Sequence, residues 1–481
     1  MRKEIGITAK KSEDFSEWYT QAVTKAELAD YAAVKGFMVL MPYGCAIWER
    51  MRSFMDEELK KLKHQNAYFP ALIPESFLKK EATHFSGFTP EVFWVTHTGD
   101  NELPEKLAVR PTSETIIYDS YSRWVQSWRD LPLLINVWNS VLRAEITSTK
   151  PFIRSSEFLW QEGHTVHESK EDADREVFTI LELYRRLTEE LLAIPVLRGY
   201  KSDQEKFVGA LYTTTLEAMM PDGKALQMGT SHNLGQNFSK AFEIKYLGRD
   251  GQQHYAWNAS WGVSWRLIGA LVMIHGDDKG IILPPRIAPV QVIIVPIFYS
   301  DNDKERVTAK IKELVEKLEQ ERIRYEIDDR TEYTPGWKFN QWEMKGVPLR
   351  VELGPKDVQN RVITLSRRDA GRRQTVKDDE AIPHIKRVLD EIQEHLFTRA
   401  KSFLDEHITP ANSYEEFRSL LEEKKGFIKA PWCANQECEA GIKQETGATI
   451  RVLPFTDEQI SGKCIYCDQE AKKMAYFAQA Y

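Results

Sequence analysis

The chain has 481 residues, which is too long for a single hydrophobic core, so two or three domains are expected. Its 42% hydrophobic and 28% charged residues are ordinary for a soluble globular protein, and five cysteines in so long a chain exclude a disulfide scaffold. The lack of a long apolar run or a signal peptide predicts a cytoplasmic protein. The formal net charge of −7 excludes nucleic-acid binding by overall charge, so such binding would need local basic patches.

The N-terminal region is predicted to be structural. Residues 1–35 are charged and predict a helix, residues 36–42 predict an apolar strand that a proline ends, and residues 44–65 predict a second helix from apolar residues at helical spacing. Residues 67–73 predict another strand. Any core helix between two strands would look the same, so this pattern alone carries no chemistry.

Residues 110–115 have the sequence Arg-Pro-Thr-Ser-Glu-Thr. A hydroxyl and a carboxylate at this spacing are typical of a cap on the helix that follows. Thr112 and Glu114 also suit a ligand cation with two N–H donors, because both side chains accept hydrogen bonds. The residues alone leave both interpretations open.

Residues 133–141 and 153–160 predict two strands joined by a loop that is too long and too polar for a tight turn. Alternate side chains of a strand share a face, so Arg143 lies with Glu145 on one arm. The set that shares a face on the other arm is Arg154, Phe158, Trp160, Glu162 and His164. Arginines, carboxylates and aromatic rings together predict a site for a charged ligand, and the alternative is a solvated face with fortuitous ion pairs.

The segments after the hairpin end in an apolar helix that carries an arginine, Arg266. Residues 168–194 predict an amphipathic helix, and residues 227–238 are rich in Gly and Asn between strand-like segments, where a lone His232 is usually structural. An apolar helix is predicted from Arg266 to about His275. A guanidinium at the start of such a helix needs a partner.

From residue 286 onward, strands and helices alternate, which predicts a small α/β domain with a partly parallel sheet. The predicted strands are 290–298, 325–328, 349–353 and 361–366, and the predicted helices are 303–322 and 381–396. A basic cluster follows the last of these strands: Arg367, Arg368, Arg372 and Arg373. It predicts either a solvated face or contact with nucleic-acid phosphates.

Four of the five cysteines lie near the end of the chain: Cys433, Cys438, Cys464 and Cys467. Two close pairs predict a tetrathiolate site for Zn²⁺, which is structural because it has no open ligand position. The alternative is four reduced cysteines without metal. Cys45 is separate and is predicted to be buried in the helix at 44–65.

The run from Arg143 to His164, which ends in Glu-Phe-Leu-Trp-Gln-Glu-Gly-His, resembles motif 2 of the class II aminoacyl-tRNA synthetases. In detail it resembles the prolyl-tRNA synthetases of the archaeal and eukaryotic type, and the resemblance covers essentially the whole chain. Residues 36–74 resemble motif 1, which builds a homodimer interface, and Gly262 to Arg266 resembles motif 3. Too few residues separate His164 from Gln227 to hold the editing domain of bacterial-type prolyl enzymes.

The resemblance implies an α/β multidomain fold. It places a class II antiparallel-sheet catalytic domain at residues 1–285, an α/β anticodon-binding domain at residues 286–396 and a C-terminal α/β zinc domain at residues 397–481. It also implies that the chain activates L-proline with ATP and Mg²⁺ and transfers the prolyl group to tRNA(Pro), with structural Zn²⁺ in the last domain.

The resemblance assigns residues to each role, with Arg143 and Arg266 as the catalytic ones. The implied proline site is Phe88, Thr112, Glu114, Arg143, Trp160, Glu162, His164, Phe207 and His232. The implied ATP site is Arg143, Glu145, Arg154, Ser155, Gln227, Thr230, Ser264 and Arg266. The implied anticodon contacts are Glu343, Arg350, Lys356 and Asp357, which carry groups able to pair with guanine.

Two other functions stay open. A non-catalytic tRNA-binding paralogue would have lost a motif arginine, whereas Arg143, Arg154 and Arg266 are all present. A class II synthetase for threonine, glycine or histidine would share the following anticodon-type domain. Finally, residues 474–481 are largely apolar and aromatic, which predicts a docked tail, either on the zinc domain itself or, as the resemblance implies, toward the catalytic domain.

Overall fold

The computed structural model describes residues 6–84, 91–144, 148–456 and 462–481. Phe88 and Glu145, two of the expected ligand-binding residues, lie outside the described residues. None of the helices in the described ranges has the length and apolarity that a bilayer span requires.

The N-terminal part of the chain is built on one large sheet. Its helices are α1 (Phe15–Lys25), α2 (Pro42–Lys61), α3 (Glu75–His84), α4 (Glu114–Trp124), α5 (Lys170–Arg186), α6 (Asn237–Phe242) and α7 (Arg266–His275). Its strands are β1 (Ala29–Tyr31), β2 (Met38–Leu40), β3 (Gln65–Asn66), β4 (Leu72–Pro74), β5 (Trp94–Thr98), β6 (Asn101–Val109), β7 (Leu133–Leu142), β8 (Glu157–His167), β9 (Leu197–Tyr200), β10 (Tyr212–Met219), β11 (Ala225–Gly235), β12 (Lys245–Leu247), β13 (Gln253–Tyr255) and β14 (Trp257–Ser264).

Seven of these strands form the sheet, in the order β3-β7-β8-β14-β11-β10-β9, and every neighbouring pair except β3 and β7 is antiparallel. Helix α5 covers one face, where the Tyr184 hydroxyl donates to Gln161 Oε1 at 2.6 Å. Side chains alternate along β8, so the neighbours of Gln161 point to the opposite face. The antiparallel sheet expected for the catalytic domain is therefore confirmed, and one of its faces is left for a site.

The second part is a smaller α/β unit. Its elements are β15 (Val292–Pro296), α8 (Asp301–Gln320), β16 (Tyr325–Ile327), α9 (Pro335–Met344), β17 (Leu349–Leu353), α10 (Pro355–Asn360), β18 (Val362–Arg367), β19 (Arg373–Lys377) and α11 (Ala381–Glu406). The sheet order is β16-β15-β17-β18-β19, with β15 parallel to β16 and β17 and the other pairs antiparallel. The prediction of a partly parallel sheet is confirmed, whereas α9 was not predicted.

The third part is a four-stranded sheet with two helices. Its elements are β20 (Ile408–Pro410), α12 (Tyr414–Glu423), β21 (Phe427–Trp432), α13 (Gln436–Thr446), β22 (Thr449–Val452) and β23 (Lys473–Ala478). The sheet order is β20-β21-β23-β22. Leu453, just after β22, exchanges backbone hydrogen bonds of 2.7 and 2.8 Å with Tyr200 of β9. The third part therefore continues the edge of the catalytic sheet.

Several element predictions were wrong in their bounds. The strand predicted for residues 67–73 is absent from residues 67–71, because β3 ends at Asn66 and β4 begins at Leu72. The helix predicted for residues 1–35 is confined to α1, because Asp14 caps its N-terminus and Glu27, at φ 59°, turns the chain into β1. The second strand of the hairpin begins at Glu157 and not at residue 153, because Phe152, at φ 61°, lies in a turn. The helix predicted to end at residue 396 continues as α11 to Glu406.

Candidate active site

A cavity of about 800 Å³ lies on the sheet face that α5 leaves uncovered. Most of the predicted ligand-binding residues line it together: Thr112, Glu114, Arg143, Arg154, Ser155, Trp160, Glu162, Phe207, Gln227, Thr230, His232, Ser264 and Arg266. His164 lies behind them, against Glu162. The alternative of a solvated face with fortuitous ion pairs is wrong, since Glu162 and His164 are each only 1% exposed.

Thr112 and Glu114 bring polar oxygens to the cavity at the start of α4. Ser113 is the N-cap residue, but its side chain makes no cap hydrogen bond and donates to the carboxylate of Glu162. The Thr112 hydroxyl donates to Glu114, whose pKa is raised by burial. The capping alternative is therefore wrong. Among the described residues, no lysine or arginine neutralises Glu114, so a ligand cation suits this position.

Glu162 and His164 form a buried pair on β8, where their spacing puts both side chains on the cavity face. His164 Nε2 lies 2.9 Å from Glu162 Oε2, and Asn139 Nδ2 donates to Glu162 Oε1 at 2.9 Å. Burial opposes both charges, but these hydrogen bonds lower the pKa of Glu162 and the pair raises the pKa of His164. The pair therefore favours the ionised carboxylate and the protonated imidazole.

His232 has the opposite character, because burial lowers its pKa to about 3 and keeps it neutral. Thr213 Oγ1 lies 2.9 Å from its Nδ1, and Thr230 Oγ1 lies 3.1 Å from its Nε2. The ring centre of Phe207 is 4.7 Å away. Phe207 and the neutral imidazole together form an uncharged wall of the cavity.

The three motif arginines line the same cavity. Arg143 Nε donates to the carbonyl oxygen of Pro111 at 3.2 Å, and its guanidinium lies 5.3 Å from the ring centre of Phe158. Arg266 is the first residue of α7; burial and the charge of Arg143 lower its pKa to about 10. It forms no ion pair with a carboxylate of the described residues. Arg143 and Arg266 are half-buried and Arg154 is exposed, and cations that repel one another at such a site favour binding of a polyanion.

Sequence reasoning missed Ser113, Asn139 and Thr213 as site residues. Asn139 accepts from Trp160 Nε1 at 2.5 Å and donates to Glu162, so it orients both side chains. Thr213 faces His232 because β10 and β11 pair these residues directly. The pairing register of strands, which the sequence does not show, is the only signal for such contacts.

The anticodon candidates lie in the second part of the chain and are partly engaged with protein groups. Arg350 Nη2 lies 3.0 Å from Glu352 Oε1, and its guanidinium is 4.1 Å from the ring centre of Phe339. Asp357 accepts from the Gly354 N–H at 2.8 Å, and Lys279 Nζ lies 3.0 Å from Glu343 Oε1. The fourth candidate, Lys356, follows Pro355 at the beginning of α10.

The predicted basic cluster is largely neutralised within the protein. Arg367 pairs with Asp369 at 2.9 Å, Arg373 pairs with Glu352 at 2.5 Å, and the buried Arg368 pairs with Asp277 at 2.5 Å. Three of its arginines therefore stabilise the fold, and Arg368 ties the second part to the end of the catalytic part.

The four C-terminal cysteines converge as predicted, with all four Sγ atoms within 4.8 Å of one another. Cys433 Sγ lies 3.6 Å from Cys438 Sγ and 3.7 Å from Cys467 Sγ. Tetrahedral Zn²⁺ with Zn–S bonds of about 2.3 Å needs sulfur separations of about 3.8 Å, so the residues fit the ion. Cys45 is half-buried on α2, and the expectation that it is fully buried was wrong.

The C-terminal tail is docked, as predicted, and it docks on the catalytic part. Ala225 N donates to the Gln479 carbonyl at 2.8 Å, Tyr481 N donates to the Ala225 carbonyl at 3.2 Å, and the Tyr481 hydroxyl donates to Asp222 at 2.6 Å. Lys150 Nζ lies 4.7 Å from the Tyr481 ring centre. Docking only on the zinc domain is therefore wrong.

Family models match three segments of the chain. Residues 93–275 match the tRNA synthetase class II core domain (G, H, P, S and T), residues 291–388 match the anticodon binding domain, and residues 414–481 match the C-terminal domain of prolyl-tRNA synthetase. The first two matches agree with the antiparallel sheet and the partly parallel sheet described above.

Relatives match along the whole chain. The proline–tRNA ligase of Cenarchaeum symbiosum is 54% identical over 478 residues, which are 99% of this chain and 100% of the relative. That of Alkaliphilus oremlandii is 52% identical over 468 residues, 97% and 96% of the two chains. Proline–tRNA ligase 2 of Bacillus cereus ATCC 14579 is 50% identical over 480 residues, 100% of both. The chain therefore belongs to the prolyl-tRNA synthetase family of class II aminoacyl-tRNA synthetases.

Proposed function

We propose that this chain is a proline–tRNA ligase, which joins L-proline and ATP into prolyl-adenylate and pyrophosphate and then transfers the prolyl group to tRNA(Pro). The observation that carries the proposal is one cavity that holds three arginines and a buried carboxylate, Glu114, to which no lysine or arginine of the described residues is paired. Such a cavity suits an amino acid's ammonium beside the phosphates of ATP.

The proline ammonium would bind Thr112 and Glu114. Proline carries a secondary ammonium with two N–H donors, and these two side chains offer the oxygens to accept them. Trp160 and Phe207 line the cavity and provide the apolar wall that a pyrrolidine ring needs. Glu162, His164 and the neutral His232 would complete the pocket by fixing its shape. Phe88, which lies outside the described residues, is a further proposed proline-binding residue.

The phosphates of ATP would bind the arginines. Arg143 bridges the proline carboxylate and the α-phosphate, while Arg154 and Arg266 hold the β- and γ-phosphates, and Mg²⁺ accompanies the nucleotide. Arg266 also lies over the adenine ring. The remaining nucleotide contacts are assigned to Glu145, Ser155, Gln227, Thr230 and Ser264.

No side chain needs to act as a nucleophile in this reaction. The proline carboxylate oxygen attacks the α-phosphorus, the bond to the β-phosphate oxygen breaks, and pyrophosphate leaves with its negative charge stabilised by the arginines. Mg²⁺ bound with the nucleotide would supply further positive charge. The ribose hydroxyl at the 3′ end of the tRNA then attacks the prolyl carbonyl and displaces AMP. The protein contributes positioning and charge stabilisation.

The remaining partners bind elsewhere on the chain. Glu343, Arg350, Lys356 and Asp357 would contact the anticodon guanines, since arginine and lysine pair with O6 and N7 and a carboxylate accepts from N1 and N2. The four cysteines would hold a structural Zn²⁺. The domain boundaries proposed for these roles are 285/286 and 396/397.

A homodimer would form around α2. Tyr31, Val39 and Tyr68, near the two ends of this helix, are 47%, 50% and 76% exposed, and apolar side chains in such positions suit a partner surface. Charging tRNA for translation places the protein in the cytoplasm. Sedimentation of the purified protein tests the dimer.

ATP–pyrophosphate exchange, measured with each amino acid separately and followed by charging of tRNA(Pro), tests the function. Proline alone should drive fast exchange and then label the tRNA. Exchange driven best by threonine, glycine or histidine would identify a synthetase for that amino acid. A folded protein that binds tRNA(Pro) without exchange would identify a non-catalytic paralogue.

A further inference from the structure

A buried ion cluster joins the C-terminal domain to the catalytic sheet. Glu217 of β10 is fully buried, and Lys201 Nζ lies 2.7 Å from its Oε1. Arg451 of β22 donates to both oxygens of Glu217, from Nε to Oε2 at 3.1 Å and from Nη2 to Oε1 and Oε2 at 3.0 Å. Thr215 Oγ1 donates to Oε1 at 3.1 Å. Every hydrogen-bonding position of the carboxylate is therefore occupied.

Glu217 lies on the cavity face of the sheet. The bond from Thr215 shows that both side chains are on one face, and alternation puts Thr213, which lines the cavity, on that face as well. Glu217 pairs with Gln227 of β11, another lining residue. The carboxylate thus sits at the edge of the cavity, beneath the C-terminal domain.

Arg266 lies across the sheet from this cluster. Arg266 begins α7, two residues after β14 ends at Ser264, and β11 lies between β14 and β10, the strand that carries Glu217. β14 and β10 are therefore two strand spacings, about 10 Å, apart. The charges act on each other: after burial and Arg143, which lower the pKa of Arg266, Glu217 raises it and Arg451 lowers it again.

We infer that Arg451 is a positioning residue for ATP, because by occupying both oxygens of Glu217 it keeps that carboxylate from capturing the Arg266 guanidinium. This role rests on the proposed function, in which Arg266 binds the nucleotide. The C-terminal domain then contributes to the ATP site without touching the nucleotide, through one side chain.

Glu217 would compete with ATP for Arg266 because a buried carboxylate is costly without hydrogen-bond donors. Without Arg451, Glu217 would keep Lys201 but lose three of its hydrogen bonds in a place that water does not reach. Arg266 faces the same cavity and has no carboxylate partner among the described residues. It would turn toward Glu217, and each ATP that binds would have to separate this new pair.

The pairing of Leu453 with Tyr200 holds Arg451 in place. Both backbone hydrogen bonds of this pair lie two residues beyond Arg451, on the strand that adjoins β9. The docking of the C-terminal domain on the catalytic sheet therefore determines whether Glu217 is paired with Arg451.

The test compares Arg451→Met with the double variant Arg451→Met/Glu217→Gln and with Arg418→Met, an exposed arginine of α12 in the same domain, as a matched control. Pyrophosphate exchange gives the KM values for ATP and proline, and calorimetry gives the ATP affinity directly. Arg451→Met should raise the KM and the Kd for ATP about tenfold, because Glu217 would then compete with ATP for one charge-assisted interaction of Arg266. The KM for proline should change little. The double variant should recover most of the ATP affinity, because no anion is left to capture Arg266.

Two outcomes would overturn the inference. One is an unchanged ATP affinity in folded Arg451→Met; the other is a loss that Glu217→Gln does not rescue, which would make the cluster only a domain contact. If Arg451→Met does not fold, Arg451→Lys, which keeps the charge but not the two-oxygen contact, should give an intermediate ATP affinity that the same Glu217→Gln change restores. Wild-type protein without proline-driven exchange would instead refute the proposed function.

Discussion

Glu114 and Glu162 are two buried carboxylates in one cavity, and the protein shifts their pKa values in opposite directions. Burial raises the pKa of Glu114, whereas for Glu162 the hydrogen bonds from His164, Ser113 and Asn139 outweigh burial and lower the pKa. Glu162 is therefore satisfied by the protein itself. Burial raises the pKa of Glu114 more than the charge of His164 lowers it, so the ionised carboxylate is costly in the empty enzyme and a ligand cation would relieve that cost.

Replacing Glu114 with Gln should stabilise the empty protein and abolish its preference for proline. The pKa of Glu114 is raised in the folded protein above its usual value of 4.5. Wild type therefore loses stability as the pH rises from 4.5 through the pKa of the folded state, whereas a Gln at this position does not titrate. The melting temperature of the variant minus that of wild type should therefore increase with pH above 4.5. The KM for proline should rise at least about tenfold, since a charge-assisted hydrogen bond is lost.

Thermal melts across this pH range, with and without saturating proline, check both parts. At one fixed proline concentration, proline should raise the melting temperature of wild type more than that of the variant. Asp119→Asn, a half-buried carboxylate on the same helix paired with Arg123, is the control and should respond to proline like wild type. A Glu114→Gln variant that proline stabilises as much as wild type would remove Glu114 from the ammonium site.

Replacing Arg143 with Ala should reduce exchange by at least about 100-fold, because one side chain is proposed to contact charge on both substrates as adenylate forms. The fold should remain intact, as judged by circular dichroism. Arg123→Ala changes an arginine that is exposed and distant from the cavity lining, and should leave exchange normal. Near-normal exchange by folded Arg143→Ala would eliminate the proposed bridge.

Local patterns predicted the core of the site, and long-range contacts defined the rest. Alternation on β8 was enough to place Trp160, Glu162 and His164 on one face, because that rule needs only sequence. The role of Thr213 depends on strand register, and the neutralisation of Arg368 depends on Asp277, which is distant in sequence. The sequence placed Arg154 in a strand, but the strand begins after it. The reason is that Phe152 has a left-handed backbone conformation, which a sequence without glycine at that position does not indicate.

Replacing Cys464 with Ser should release zinc and lower the melting temperature more than it changes the KM for proline. None of the four cysteines lines the cavity, and metal binding to such a site is coupled to folding of its own domain. Metal analysis of protein purified without chelator should find one zinc per chain in wild type and in Cys45→Ser, whose thiol lies on α2. Wild-type protein with no zinc would contradict the site.

The chain should activate alanine to a measurable extent and leave Ala-tRNA(Pro) intact. Between β8 and β11 the chain forms only α5, a π-helical turn, β9 and β10, so no separate editing domain is present in that segment. A pocket for a ring excludes alanine by lost apolar contact, worth about 1–3 kcal/mol per methylene. Exchange with alanine and deacylation of Ala-tRNA(Pro) measure the two steps. Rapid deacylation by the pure protein would contradict the prediction.

Shortening the tail should lower adenylate formation more than stability, provided that the cut spares β23. Deletion of residues 476–481 would break the C-terminal sheet, because Phe477 and Ala478 are fully buried in that strand. Deletion of residues 479–481 removes the contacts of Tyr481 with Asp222 and Lys150 and keeps the strand.

The physical reason lies in what Lys150 does. Lys150 and Arg154 exchange backbone hydrogen bonds of 2.9 Å across the turn before β8, so the Tyr481 ring that packs on the Lys150 ammonium helps to hold the backbone that carries Arg154 into the cavity. Exchange at saturating proline and ATP should fall severalfold for the shortened chain, while its melting temperature changes by a few degrees. Tyr481→Phe keeps the ring and loses only the hydroxyl bond to Asp222, so it should retain most of the activity if the ring over Lys150 is what matters. Equal exchange rates for the shortened and full-length proteins would leave the tail with a structural role alone.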